Sequence, residues 1–430
     1  MESWSRRGEG GDCEDGMADD AATAPIQAGF PGLSTKCPAG REGKQPLTIA
    51  EIVNSPFTYR HFVQPLVRRL EAEGHRLLVL CPDADRFRAD HGALVELYDI
   101  PLLRSLDPRT ILSAGWRIHR ILRSRRPDVA HCHMPISGAV GRLAARLAGV
   151  PRIAYTCHGF LFNQPGPWWR RRLSLATERL CGRLTDVMMT VSEAEAEDAR
   201  RLGIHRAPIA IGNGRDPEVF RFDAEARAKI RDEQGVGPDE CVIVTVARLV
   251  EHKGLLDLVD AIPHLYGRFR IWIVGDRVAG DRGPDVKRIL EEVQATSGGR
   301  LVLLGMRDDI PAVLSAADVF CLPSHFEGLP MSIIEAMLVG LPVVASDIKG
   351  IQELVDHRST GYLAAPNAPQ GLAWFLNEMI MRPEQRRVFG EAGRRKALDR
   401  FTEELVLERV VTLLSEAPRP SVAERASASP

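Results

Sequence analysis

Ten short apolar runs constrain the fold of this chain more than any other feature. They lie at residues 47–53, 76–81, 128–132, 152–156, 186–191, 241–246, 271–274, 301–304, 319–322 and 342–346. Runs of this length, rich in Val, Ile and Leu and bounded by turns, suit strands buried on both faces. The segments between them carry the helical period instead; within residues 62–70, Phe62, Leu66 and Leu70 fall on one face. Strand and helix in alternation predict parallel βαβ units and an α/β fold.

Ten strands exceed what one open sheet holds comfortably. The 430 residues also exceed the roughly 250–300 at which a single core stops growing. The turn-dense Gly212-Asn-Gly214-Arg-Asp216-Pro217 supplies a natural break. The expected organisation is two doubly wound Rossmann-like domains, 45–211 and 212–393, facing a central cleft. A helical stretch at 394–415 then closes the second domain or crosses back to the first. The ends, 1–44 and 416–430, are rich in Gly, Pro, Ala, Ser and charge, and are expected to be disordered tails. The eight cysteines form no CxxC pair and several sit in apolar runs, so they are expected to be reduced and structural.

Open α/β sheets bind ligands beyond the carboxyl ends of their strands. That rule selects Asn54-Ser55-Pro56, His131-Cys-His133, His158-Gly159-Phe160, the segment from Arg248 to Gly254, Gly275-Asp276, and the segment from His325 to Pro330. In Glu327-Gly-Leu-Pro330-Met-Ser-Ile-Ile-Glu335, Pro330 suits a first helical turn, and Gly340 with Pro342 is a stop signal. The unpaired N–H groups of that helix start would face the cleft as an anion site. Glu327 in the loop and Glu335 on the helix fit hydroxyl-bearing sugars better than phosphate. In Arg248-Leu-Val-Glu-His-Lys253-Gly254, two cations follow a strand and can neutralise a diphosphate; solvated surface cations are the bland alternative.

Two patterns suggest metal. Asp83-Ala-Asp85 matches the acid pair that holds a hard divalent cation elsewhere, but with cations serving the diphosphate it reads as a solvated turn. In His131-Cys-His133 the strand period points Cys132 away from both histidines, leaving two ligands on one face. No metal is expected at either place.

Together, Arg248-x4-Lys253-Gly254 and Glu327-Gly-Leu-Pro-x4-Glu335 resemble the donor site of the family 4 retaining glycosyltransferases of the GT-B fold. Pro127-Asp-Val-Ala-His131-Cys-His133, Thr156-Cys-His158-Gly159, Thr190-Val-Ser192 and Asn213-Gly-Arg-Asp216 agree with that resemblance, which spans roughly residues 46–415. It implies that Arg248 and Lys253 hold the donor diphosphate, facing backbone N–H groups at Gly328 and Leu329. It further implies that Glu335 holds the ribose, Glu327 the transferred sugar, and that His158 approaches the reacting centre. Asn54, His131 and His133 would lie on the acceptor side. The implied reaction moves a sugar, with retention, from a nucleotide-diphosphate donor (a UDP-sugar by family bias) to a glycan or lipid-linked acceptor in surface polysaccharide or glycolipid assembly. The nucleotide-sugar is substrate, and no cofactor is expected. A sugar-nucleotide epimerase on the same architecture and a non-catalytic nucleotide-sugar sensor are the competing readings.

Charge adds a partner. The net charge of −1 hides 23 Arg, no Lys and 16 acidic residues between Gln45 and His205, a balance of +7. An anionic membrane surface or a phosphorylated acceptor fits this half; no nucleic-acid module accompanies it. Trp168-Trp169-Arg170-Arg171-Arg172 opens a helical pattern in which Trp169, Leu173, Ala176 and Leu180 form a stripe. The stripe reads as ordinary core, with Trp168 and the arginines as an interfacial anchor. With no run of 18 apolar residues and no apolar leader, the expected location is the cytoplasm or the inner face of its membrane.

Overall fold

A computed structural model describes residues 45–101, 107–164, 166–277, 281 and 283–416. The tail 1–44, with Cys13 and Cys37, and all of the tail 416–430 except Glu416 lie outside the described residues. The strands are β1 (Thr48–Ile52), β2 (Arg76–Cys81), β3 (Val95–Asp99), β4 (Val129–His133), β5 (Arg152–Cys157), β6 (Val187–Thr190), β7 (Ile209–Ala210), β8 (Cys241–Val246), β9 (Phe269–Val274), β10 (Leu301–Gly305), β11 (Val319–Leu322), β12 (Val343–Ser346) and β13 (Gly361–Ala364).

They form two wholly parallel sheets, ordered β3-β2-β1-β4-β5-β6-β7 and β10-β9-β8-β11-β12-β13. This is the expected doubly wound α/β fold in duplicate. Each apolar run in the sequence corresponds to a strand, within one or two residues at its ends. β3, β7 and β13 are additional. All three are edge strands, and β3 alternates in composition and is only half-buried, so it lacks the continuous apolar signal of a central strand.

Each sheet is covered on both faces by helices. In the first, Ala50, Ile52, Leu78, Leu80 and Cys132 pack one way, while Ile49, Leu77, Val79 and Ala154 pack the other. The order of each sheet reverses at one place, between β1 and β4 and between β8 and β11. Those two switch points are where such sheets leave a crevice for ligand.

The chain passes between lobes twice. At the second passage the helix Pro383–Arg400 ends, and Thr402 caps a new helix, Glu403–Ser415. That helix buries Val410, Val411 and Leu414 in the core of the first lobe. The passages meet each other: Arg215 N–H donates to Phe401 O at 3.1 Å and Glu403 N–H to Arg215 O at 3.0 Å. The six described cysteines are buried free thiols.

The helix Trp168–Gly182 corrects one expectation. Trp169, Leu173 and Leu180 are 50%, 62% and 63% exposed, and Ala176 is exposed too, so the stripe is not core. The helix turns Glu178 and Cys181 inward instead. It does so because Arg142, fully buried, needs a charged partner there: Nη2 donates to Glu178 Oε2 at 2.9 Å, and the guanidinium stacks 3.8 Å from the Tyr155 ring.

Candidate active site

Glu51 on β1 stands in register with His131 on β4, and the two-residue period brings His133 onto the same face. Cys132 points into the opposite core, as the period requires. Glu51 is wholly buried and its carboxylate accepts from both rings, from His131 Nδ1 at 3.0 Å and His133 Nε2 at 2.7 Å. His131 Nε2 lies 2.8 Å from Thr156 Oγ1. His133 Nδ1 lies 3.4 Å from Nε2 of His158, which follows β5. Burial alone would raise the Glu51 carboxyl, but the two imidazoles overcome it and bring it to about 2. Burial, then the neighbouring His131, lowers His133 to about 4; burial, then His133 and His131, holds His158 well below the usual imidazole value.

The two-ligand count for His131-Cys-His133 omitted Glu51, which supplies a third donor atom to the set. Tetrahedral zinc with Zn–N near 2.05 Å would hold its ligand atoms about 3.3 Å apart. The 2.7 and 3.0 Å separations from Glu51 Oε2 are instead those of shared protons. Asp83 and Asp85 are exposed on either side of the buried Ala84, where the 3-10 helix Ala84–Asp90 begins, and Asp85 pairs with Arg88.

Across the cleft, β8 delivers Arg248 and a tight turn delivers Lys253. Gly254 has φ +66°, and a Cβ there would stand 1.9 Å from Pro323 O, so only glycine lets the turn lie against the end of β11. Lys253 Nζ thereby reaches Glu327 Oε1 at 2.6 Å, where Ser324 Oγ also donates at 2.7 Å. Arg248 pairs with Asp281, and Asp276 pairs with Lys287. The helix beyond Glu327 runs Met331–Val339 with Pro330 as its N-cap, one position earlier than a first-turn proline. Leu329 is buried beneath it, and its carbonyl accepts from Asn213 Nδ2 at 2.7 Å. Gly340, at φ +97°, ends the helix.

Glu335 is in an ion pair with Arg215, at 2.7 Å, and Arg215 Nη1 donates to His61 O of the first lobe at 3.1 Å. Arg215 was not singled out from sequence; an arginine inside the Asn-Gly-x-Asp turn was the available signal. Glu51 was missed too, although a carboxylate inside a doubly buried strand is itself conspicuous.

The His158 and Glu327 loops meet. A Cβ at Gly328 would lie 3.6 Å from Gly159 Cα and 3.5 Å from Glu195 Oε1. A cavity of about 440 Å³ opens beside this contact, lined by Ser192, Glu195 and Asp198 of one lobe and Glu327, Gly328 and Lys349 of the other. A smaller one, about 60 Å³, holds His133, His158 and Thr156 opposite Gly212, Asn213 and Met331. Asn54, at the end of β1, is buried and lines neither cavity. The arrangement offers a cation, a carboxylate and a helix start on one wall and neutral imidazoles on the other.

Residues 226–396 match the family model for glycosyl transferases group 1, and residues 58–214 match that for the glycosyl transferase 4-like domain. The UDP-Gal:alpha-D-GlcNAc-diphosphoundecaprenol alpha-1,3-galactosyltransferase of Escherichia coli is 32% identical over 61% of this chain and 68% of its own length. The putative glycosyltransferase EpsD of Bacillus subtilis is 28% identical over 74% of this chain and 84% of its own. Among solved structures, sucrose-phosphate synthase from Thermosynechococcus elongatus superposes with TM-score 0.75 at 22% identity, covering 85% of this chain and 98% of that one. Anabaena HepE, solved with UDP and glucose, gives TM-score 0.73 at 22% identity over 86% and 100%. These comparisons give the epimerase reading no support. With two parallel sheets facing a cleft and a family model matching each lobe, the chain belongs to the group 1, family 4-like glycosyltransferases of the GT-B fold.

Proposed function

We propose that this glycosyltransferase takes a UDP-sugar as donor and transfers the sugar, with retention and without a metal, to a glycan or lipid-linked acceptor. The observation that carries the donor assignment is the Lys253–Glu327 pair at 2.6 Å, set at the switch point between β8 and β11 beside the start of the helix Met331–Val339. Lys253, Arg248 and the N–H groups at Gly328 and Leu329 take the diphosphate. Glu327 then exchanges its ammonium partner for sugar hydroxyls, and Glu335, steadied by Arg215, takes the ribose. Charge that develops on the departing diphosphate is met by fixed cations and N–H dipoles, which is electrostatic stabilisation of a leaving group. Attack comes from the same face, and a phosphate oxygen accepts the acceptor proton. His158 approaches the sugar from the first lobe. The donor and acceptor in the name of the Escherichia coli relative, and the UDP bound in HepE, support this choice.

Thermal unfolding with UDP, GDP and ADP tests the donor site. A ligand at 100 times its dissociation constant adds about 2.7 kcal/mol. UDP is expected to stabilise wild type most, and Lys253→Ala and Glu335→Ala much less. Equal stabilisation of all three proteins would remove both residues from the site.

The acceptor reading extends to location at the inner face of the cytoplasmic membrane. Its support is the face of the helix Trp168–Gly182, where Trp168 (69% exposed) and Trp169 stand with Arg172 and Arg170 at 5.3 and 5.0 Å from their rings. Leu143 and Leu147 on the neighbouring helix Pro135–Ala148 are also exposed. Aromatic rings with arginines suit an anionic lipid interface. Co-sedimentation with phosphatidylglycerol vesicles is expected to fall at least tenfold for Trp168→Ser/Trp169→Ser and to weaken with salt. Unchanged sedimentation of the double variant would end that part of the proposal.

A further inference from the structure

The donor-site reading makes no use of Glu51, a buried carboxylate bonded to two imidazoles in the lobe opposite the diphosphate cations. An ionised carboxylate only accepts hydrogen bonds, whereas a neutral imidazole has one donor and one acceptor nitrogen. His133 Nε2 must therefore carry its proton toward Glu51, leaving Nδ1 bare. His158 Nε2 is the neighbour of that Nδ1 at 3.4 Å, long for a hydrogen bond, as such contacts often are before substrate tightens them. For the contact to be a bond, His158 must in turn carry its proton on Nε2. Its Nδ1 is then the acceptor, and it is a buried nitrogen with no hydrogen-bond partner. The ring itself borders the small cavity facing Met331 and Asn213.

We propose that Glu51 is a positioning residue for glycosyl transfer: through His133 it fixes the ring orientation and tautomer of His158, so that His158 presents an unprotonated Nδ1 to a hydroxyl in the cleft. This rests on the transfer reading above. The order of the relay is Glu51 carboxylate, His133 Nε2–H, His133 Nδ1, His158 Nε2–H, with no net proton movement required. His131, whose Nδ1 straddles the carboxylate at 3.0 Å from Oε2 and 3.1 Å from Oε1 and whose Nε2 meets Thr156, stiffens Glu51 without lying in the line to His158. The arrangement parallels the general rule that a group behind a functional histidine selects its tautomer.

Glu51→Gln keeps the size of the side chain, but its amide has one donor and one acceptor end. An amide turned with its nitrogen toward His133 Nε2 forces that ring to reverse its tautomer, whereas a carboxylate cannot donate in any orientation. The expected result is a 10- to 100-fold loss of kcat with little change in donor KM and undiminished stabilisation by UDP, because the nucleotide binds the other lobe. Long-range ¹H–¹⁵N spectra of histidine-labelled enzyme, assigned with His133→Gln, give a second readout. Wild type is expected to show His133 and His158 protonated at Nε2, and Glu51→Gln to shift that pattern. Wild-type kcat in the variant, His133 protonated at Nδ1 in wild type, or a stoichiometric metal ion in the purified enzyme would each overturn the proposal. If Glu51→Gln does not fold, the wild-type spectra still decide. A wild-type enzyme that neither binds UDP nor transfers sugar would instead sink the functional reading, leaving the tautomer assignment to the spectra.

Discussion

Lys253→Met is expected to lower kcat by about 10²–10³-fold, the usual cost of removing one preorganised group from developing negative charge. Methionine keeps much of the stem and removes only the ammonium. The substitution also strands Glu327, whose side chain is 10% exposed and would retain Ser324 Oγ as its partner. Loss of stability must therefore be separated from loss of catalysis. The double variant Lys253→Met/Glu327→Gln removes both charges and is expected to recover most of the Tm but none of the rate. Steady-state rates at saturating donor, read beside Tm for the two variants, make the distinction. A solvated surface cation would leave kcat within twofold of wild type, and that result would take Lys253 out of the diphosphate site. Gly254 makes the prediction sharp, because its contact with Pro323 O fixes the turn that aims the ammonium.

Much of this site is legible in the sequence because its parts lie at strand ends, and central strands announce themselves by continuous apolar runs. The same reasoning misses two strands that end a sheet: β3, which is only half-buried, and β13, which is mostly buried but only four residues long and opens on glycine. It misreads the Trp169–Leu180 stripe because periodicity identifies a face without saying which way the face turns. There the buried Arg142, a residue with no periodic signature, sets the rotation by calling Glu178 inward. Glu51 and Arg215 escape for a related reason. Each acquires its role from partners 80 to 120 residues away, His131 and Glu335, and no local pattern encodes such a meeting. What the local sequence does encode, the turn glycines and the helix start at Met331, is where the loops could be placed correctly from residues alone.

Wild-type stability is expected to fall as pH rises from about 5 to 9 by an amount that Glu195→Gln abolishes, on the order of 4 kcal/mol. Glu195 lines the larger cavity between the lobes and accepts from Phe160 N–H at 3.3 Å. Burial, opposed by that bond and reinforced by the nearby Glu353, pushes its carboxyl up to about 8 from 4.5. In the unfolded chain it ionises near 4.5, so between the two values the folded state holds a proton that the unfolded state lacks. Stability from this group is therefore complete below the lower value and is lost as pH climbs through the higher one. The charge appears where the lobes are clasped. Glu353 of the second lobe accepts from Glu193 and Ala194 N–H at 3.1 and 2.9 Å, and Lys349 pairs with Asp198 at 3.3 Å. An anion at Glu195 adds to that of Glu353 and works against the contact that brings Gly159 to Gly328. Calorimetry at pH 5, 7 and 9 should show the two proteins nearly equal at the lowest pH and the glutamine variant clearly more stable at the highest. Parallel curves would mean that Glu195 ionises normally and that the seam between the lobes is far wetter than its burial implies.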